Sequence, residues 1–158
     1  MTNAQLLTLK VAILADPALT AHVTIGNHTA IAEYMNAAAV PDYWVWRTSL
    51  SRAQIYDAMD WTTFIARSQG ERDAFATILA NDSVNPSRAN VRQAFIDIFS
   101  GVGGASLRTA LNTASQRQAN RTEKLFVASG TGTTGDPGVM SFQGFITHED
   151  VANALAAV

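Results

Sequence analysis

The stretch SGTGTTGDPG, Ser129–Gly138, contains GTGTTG, a literal match to the G-x-G-x-x-G loop that cradles a pyrophosphate. That chemistry needs a buried strand before the glycines, a helix opening directly after them, and an acid about twenty residues further on. Here Gly130, Gly132 and Gly135 are followed by Asp136-Pro137-Gly138 and a strand-like segment, so no helix N-terminus is placed to hold a phosphate. The chain ends 23 residues after Gly135, too soon for the rest of a nucleotide fold, and the G-K-[ST] ending of a P-loop is missing. Small side chains at alternating places suit the tip of a mobile hairpin instead.

The other reactive residue types are dispersed. His22, His28 and His148 form no H-x-x-x-H pair, and the chain has no cysteine, so no thiolate or helix-borne metal set is expected. His148, Glu149 and Asp150 are adjacent in the chain, which points them in different directions at the start of a helix. Asp57 and Asp60 lie three apart near a helix boundary and read as caps. No G-x-S-x-G elbow occurs. The expectation is a protein that is not an enzyme and carries no cofactor.

Charge is uneven along the chain. Residues 82–126 hold Arg88, Arg92, Arg108, Arg117, Arg121 and Lys124 against Asp82, Asp97 and Glu123, a balance of +3. Residues 127–158 hold only Asp136, Glu149 and Asp150, a balance of −3. These basic residues read as solvated faces, as contacts between subunits, or as a modest groove facing DNA.

The elements that must position these groups are mostly helical. Apolar spacing predicts a helix over 4–15 with Asn3 as its cap, a restart at Asp16-Pro17, and a third helix over about 28–38. Tyr43, Trp44, Val45 and Trp46 predict an extended segment that packs into the core. Ser51-x-x-Gln54, Ser68-x-x-Glu71 and Thr147-x-x-Asp150 are helix-opening capping patterns. Pro86 reads as another helix start, before a stripe of Val91, Phe95, Ile98 and Phe99. SGVGGAS, 100–106, reads as a glycine hinge, and VMSFQGFI, 139–146, alternates like a strand. The fold class expected is mainly α: a helical bundle with an extended β-hairpin arm at about 128–146 and a final short helix. No internal repeat and no domain boundary is visible, so residues 1–158 read as one domain.

Charged residues make up 15% of the chain, against an average of about 25%. A surface that poor in charge is expected to be covered by neighbours. Net charge is −2, which gives no global pull toward nucleic acid or anionic membrane. The N-terminus lacks the basic start and small-residue cleavage site of a signal peptide, and no run reaches the length of a membrane span.

Four stretches resemble a group of small structural proteins of tailed-bacteriophage virions: LKVAILADPAL, YWVWRTSL, NPSRANVRQAFIDIFSG and RTEKLFVASGTGT with MSFQGFI. In architecture the chain is similar to head-to-tail adaptors (connectors), which form a ring below the portal. The resemblance implies a virion protein, assembled in the bacterial cytoplasm, whose partners are itself in a ring of about twelve copies, the portal protein, stopper or tail proteins and passing DNA, with no membrane. Capsid decoration, tail termination, or a small DNA-binding or regulatory role are the alternatives. Under this reading Ser129, Gly130, Gly132, Gly135, Asp136, Pro137, Gly138, Phe142 and Phe145 belong to an assembly arm, disordered when free and adding to a neighbour as a strand.

Overall fold

The computed structural model describes residues 1–158, and the protein is mainly α. In chain order come α1 (Asn3–Ala15), a 3-10 turn (Pro17–Leu19), α2 (Thr20–Thr24), α3 (His28–Asn36), β1 (Trp44–Trp46) and β2 (Leu50–Ser51). Next are α4 (Arg52–Ala58), α5 (Trp61–Ile65), α6 (Gln69–Ile78), β3 (Ser83–Val84), α7 (Ala89–Ile98), a 3-10 turn (Val102–Gly104) and α8 (Ala105–Ala114). The chain finishes with β4 (Gln116–Gln118), α9 (Arg121–Leu125), β5 (Val127–Ser129), β6 (Val139–Met140) and α10 (His148–Ala156). The strands form three two-stranded pairs, β1 with β4, β2 with β3 and β5 with β6.

Where the sequence shows no boundary, the backbone gathers into two compact units. One comprises Met1–Val45 and Gln118–Val158, and the other is the intervening Trp46–Arg117. In the outer unit α10 packs on α1 and α3, and α9 packs on the same two helices. Its core is Leu9, Ile13, Leu19, Ile31, Met35, Phe126, Ile146 and Val151. In the central unit α8 contacts α4, α5 and α7, while α6 lies on α7. Its core is Leu50, Ile55, Met59, Phe75, Leu79, Phe95, Phe99, Leu107 and Leu111. Phe75 sits at its centre, with ring centroids 5.0 Å from Phe99, 5.7 Å from Phe64 and 6.4 Å from Phe95.

The central unit holds a repeat that the sequence reading does not detect. α4, α6 and α7 are in step every twenty residues: Arg52, Arg72 and Arg92 begin the register, and Ile55, Phe75 and Phe95 fill the first buried position. Met59, Leu79 and Phe99 fill the next buried position, one helical turn on. Only the arginine is identical in all three helices, so the repeat lies in the burial rhythm and not in letters.

Helix starts follow local chemistry. Reciprocal capping boxes form at Ser51–Gln54, Ser68–Glu71 and Thr147–Asp150, and two more form at Thr2–Gln5 and Asn120–Glu123. Thr2, not Asn3, is therefore the cap of α1. Pro86 does not open α7: that helix starts at Ala89, and the Pro86 carbonyl accepts from Arg92 Nη1 at 2.7 Å. Of the strand expected over 139–146, only Val139–Met140 pairs, with Val127 opposite Met140 and a bulge before Ser129 opposite Val139.

The Ser68 cap has a titratable partner. The Ser68 hydroxyl, the Arg67 guanidinium and the Ser68 amide hold the Glu71 carboxyl down from 4.5 to about 2. A carboxyl lowered on folding contributes fully above its unfolded value, and the contribution fades as pH falls through the folded one. In urea titrations the native chain should therefore lose stability between about pH 4.5 and about pH 2 more steeply than Glu71→Gln, which keeps a capping amide but cannot titrate.

Candidate functional site

The glycine loop between β5 and β6 is an ordered turn closed by Asp136. The amides of Thr131 and Gly132 donate to the Asp136 carbonyl at 3.1 and 3.0 Å, and Thr131 N–H also reaches Asp136 Oδ2 at 2.9 Å. Asp136 N–H in turn donates to the Thr133 carbonyl and hydroxyl, both at 3.1 Å. The amides that a phosphate cradle would present are thus spent inside the loop, and β6 rather than a helix follows it.

The loop is also fastened to the aromatic segment. Tyr43 Oη donates to the Gly130 carbonyl at 3.0 Å, Trp44 N–H to the Gly132 carbonyl at 2.7 Å, and Gly138 N–H to the Trp44 carbonyl at 2.8 Å. Gly132 lies face-on to Tyr43 at φ +78°, and a Cβ there would overlap the ring. The expectation of a free, extended arm is corrected here: residues 129–138 are bound along Tyr43 and Trp44 of the same unit. Pro137 and Gly138 lie on that anchored side, while Gly135 stands at the open tip.

Beyond β6 the chain is gripped side chain to backbone. Ser141 N–H and hydroxyl both donate to the Phe126 carbonyl, at 2.7 and 2.9 Å, and Phe142 packs edge-on to Phe126 with centroids 5.4 Å apart. Gly144 is clamped on both polar groups: its N–H donates to Glu123 Oε1 at 2.9 Å, and its carbonyl accepts from Asn120 Nδ2 at 3.0 Å. Ile146 is clamped in the same way by Asn36, which accepts from its N–H at 2.9 Å and donates to its carbonyl at 2.8 Å. Glu123 is only 2% exposed, so its carboxylate is committed to this grip. Between the two clamped residues Phe145 points outward and is 75% exposed. Gly144 adopts φ +118°, which side-chain-bearing residues rarely reach, and so turns the chain at the base of this finger.

Most of the basic residues are engaged by groups of their own unit. Arg92 Nη1 donates to the Pro86 and Ser87 carbonyls at 2.7 and 2.9 Å, and its guanidinium lies 4.4 Å from the Trp46 ring centre. Burial pushes its pKa down. Arg108 Nη1 donates to the carbonyls of Phe99 and Gly101, and Arg121 Nη1 to that of Tyr34 at 2.8 Å, over the Tyr34 ring. Lys124 Nζ stands 5.6 Å from the Tyr43 ring centre. Arg117, on β4, is close enough to Arg47 to lower that residue's pKa after burial has done so. Arg88 is exposed and makes no side-chain hydrogen bond or ion pair. It is also one of the residues lining an open pocket of about 460 Å³ on the central unit, with Ile78, Val84, Val91 and Ala94 as apolar wall.

The remaining candidates stay apart. His28 and His148 are the first residues of α3 and α10, and His22 has a buried Nδ1 without a partner. Asp60 caps α5, accepting from Thr63 N–H at 3.1 Å; the Thr63 hydroxyl, then that amide, lower its pKa. No three His, Asp or Glu side chains converge as a metal ion would require. No single helix is long and apolar enough to cross a membrane. No family model, curated protein or solved structure matches the chain.

Two substitution pairs check these assignments by urea unfolding. Gly132→Ala should cost at least about 1–2 kcal/mol from its left-handed backbone alone. Gly135→Ala, whose Cβ meets only Thr133 Oγ1 at 3.9 Å, should stay within about 0.5 kcal/mol. Likewise Arg92→Gln should cost about 1–3 kcal/mol, whereas Arg88→Gln should be neutral within about 0.5 kcal/mol.

Proposed function

We propose that this chain is a structural subunit of a tailed-phage virion, a head-to-tail adaptor whose copies close into a ring joining the portal to the stopper or tail. The virion setting is supported by the resemblance of LKVAILADPAL, YWVWRTSL, NPSRANVRQAFIDIFSG and the RTEKLF segment to phage structural proteins. Assembly is supported by one observation above the others: an exposed aromatic held on a clamped backbone, Phe145 between Gly144 and Ile146. An aromatic presented on a fixed backbone gives up little freedom when a partner covers it, which is the property of an interface anchor. Val11 and Leu14 on α1, and Ile65 and Val102 on the central unit, are exposed apolar side chains of the same kind.

In this reading the segment 128–146 meets its neighbour as an ordered surface. Gly130, Gly132 and Gly138 are already engaged with Tyr43 and Trp44, so shape and apolar contact, more than strand addition by this loop, carry the association. Few cations remain free for DNA, since Arg92, Arg108 and Arg121 are bonded to carbonyls.

Electron microscopy of the chain assembled on portal rings should show one ring with the portal's rotational symmetry. A lattice spread over the capsid, or density at the far end of the tail, would replace the adaptor reading with decoration or tail termination. Duplex DNA binding should be weak, with a shallow dependence on salt. Submicromolar binding with a slope near −5 in log salt, about five or six phosphates neutralised, would overturn a purely structural role.

A further inference from the structure

Two features on the same chain have no partner within their own unit. The first is the Phe145 finger, 75% exposed and fixed by four hydrogen bonds to its flanking residues. Beside it in sequence, on the first turn of α10, Glu149 is exposed and unpaired, because Asp150 takes the Thr147 cap. The second is the open pocket of the central unit, about 460 Å³, walled by Ile78, Val84, Val91 and Ala94 and carrying the unpaired Arg88.

We infer that the Phe145 finger of one copy seats in the Ile78–Ala94 pocket of a second copy of this chain, with Glu149 of the first facing Arg88 of the second. Size and polarity agree: a benzyl group is easily contained in 460 Å³, and the pocket offers aliphatic walls with a polar rim of Asn81, Ser83, Asn85 and Asn90. Charge agrees as well, one free carboxylate beside the finger and one free guanidinium beside the pocket. The finger belongs to the outer unit and the pocket to the central unit. Such a finger and pocket can join reciprocally across a two-fold or head to tail. The ring reading needs the head-to-tail case, in which each copy gives its finger to one neighbour and receives one from another; a species that stops at a dimer in sedimentation counts against the ring. A clamped finger loses little freedom on binding, which favours it as an anchor.

This inference rests on the reading of the chain as a ring-forming subunit and names the surfaces that would build the ring. It is tested by the self-association of the purified full chain, measured by sedimentation velocity, with circular dichroism and urea unfolding as folding controls. Phe145→Ala should weaken association at least tenfold while leaving unfolding unchanged, since the side chain is exposed. Arg88→Glu and Glu149→Arg should each weaken it severalfold, and the two together in one chain should restore it, because every contact then carries a reversed pair. Native-like association of Phe145→Ala, or failure of the double reversal to rescue, overturns this contact while leaving the ring reading in place. A native chain that stays monomeric both alone and on portal rings overturns both. Because the chain has no cysteine, a second readout is available. Mixed Glu149→Cys and Arg88→Cys chains, which keep Phe145, should form the mixed disulfide on oxidation well beyond the statistical share of twice either homodimer, and that statistical distribution counts against the contact.

Discussion

Short helices impose the constraint on which this structure depends: each leaves unsatisfied amides at its start and carbonyls at its end. Most of the ten helices here span ten residues or fewer, so helix ends are a large share of the backbone. Starts are satisfied by five reciprocal capping boxes and by Asp16, Asn27 and Asp60. Ends and loops are satisfied by cations. Lys10, Arg47, Arg67, Arg72, Arg92, Arg108 and Arg121 all donate to backbone carbonyls, seven of the eleven lysines and arginines. Hydrogen bonds from charged donors to carbonyls are worth more than neutral ones, and an arginine fork reaches two at once.

That use of charge shapes the surface. A chain with few charged residues that commits most of its cations to its own backbone leaves few charged groups free to bond at the surface. Arg88 stands out among the cations as exposed and unpaired, and Glu149 is an exposed, unpaired carboxylate like Glu33 and Asp57. The same economy of polar groups builds the Phe145 finger, where Asn120 and Glu123 each serve a helix and a loop, capping α9 and holding Gly144, while Asn36 at the end of α3 holds Ile146. A buried polar network of this kind stiffens what it holds, and here it holds an aromatic in water.

What could be read in advance divides by range. The boxes at Ser51, Ser68 and Thr147, the Asp16-Pro17 restart and the burial of Val45 and Trp46 depend on residues within a few positions of one another. Failures of reading came where partners are distant. Pro86 looked like a helix start, but its carbonyl is needed by Arg92. The alternation over 139–146 looked like a strand, but β5 begins only at Val127, directly after α9, so no strand lies opposite residues past Met140 and side chains from α3 and α9 take over their backbone. The twenty-residue register of α4, α6 and α7 was hidden because packing accepts Ile or Phe at one position and Met, Leu or Phe at the other.

The glycine loop shows the division most sharply. That it lacks the setting of a dinucleotide loop was legible in sequence alone, because a strand-like segment and not a helix follows Gly135. Sequence also determined the mainly helical class, through apolar spacing and caps that act within one turn. Only the tertiary structure decided that the loop is fastened to Tyr43 and Trp44, that the arginines are spent on carbonyls, and that Phe145 rather than Phe142 faces outward. Those outcomes rest on hydrogen bonds spanning up to 110 residues, such as Asn36 to Ile146, and a residue's type carries no information about a partner that far along the chain.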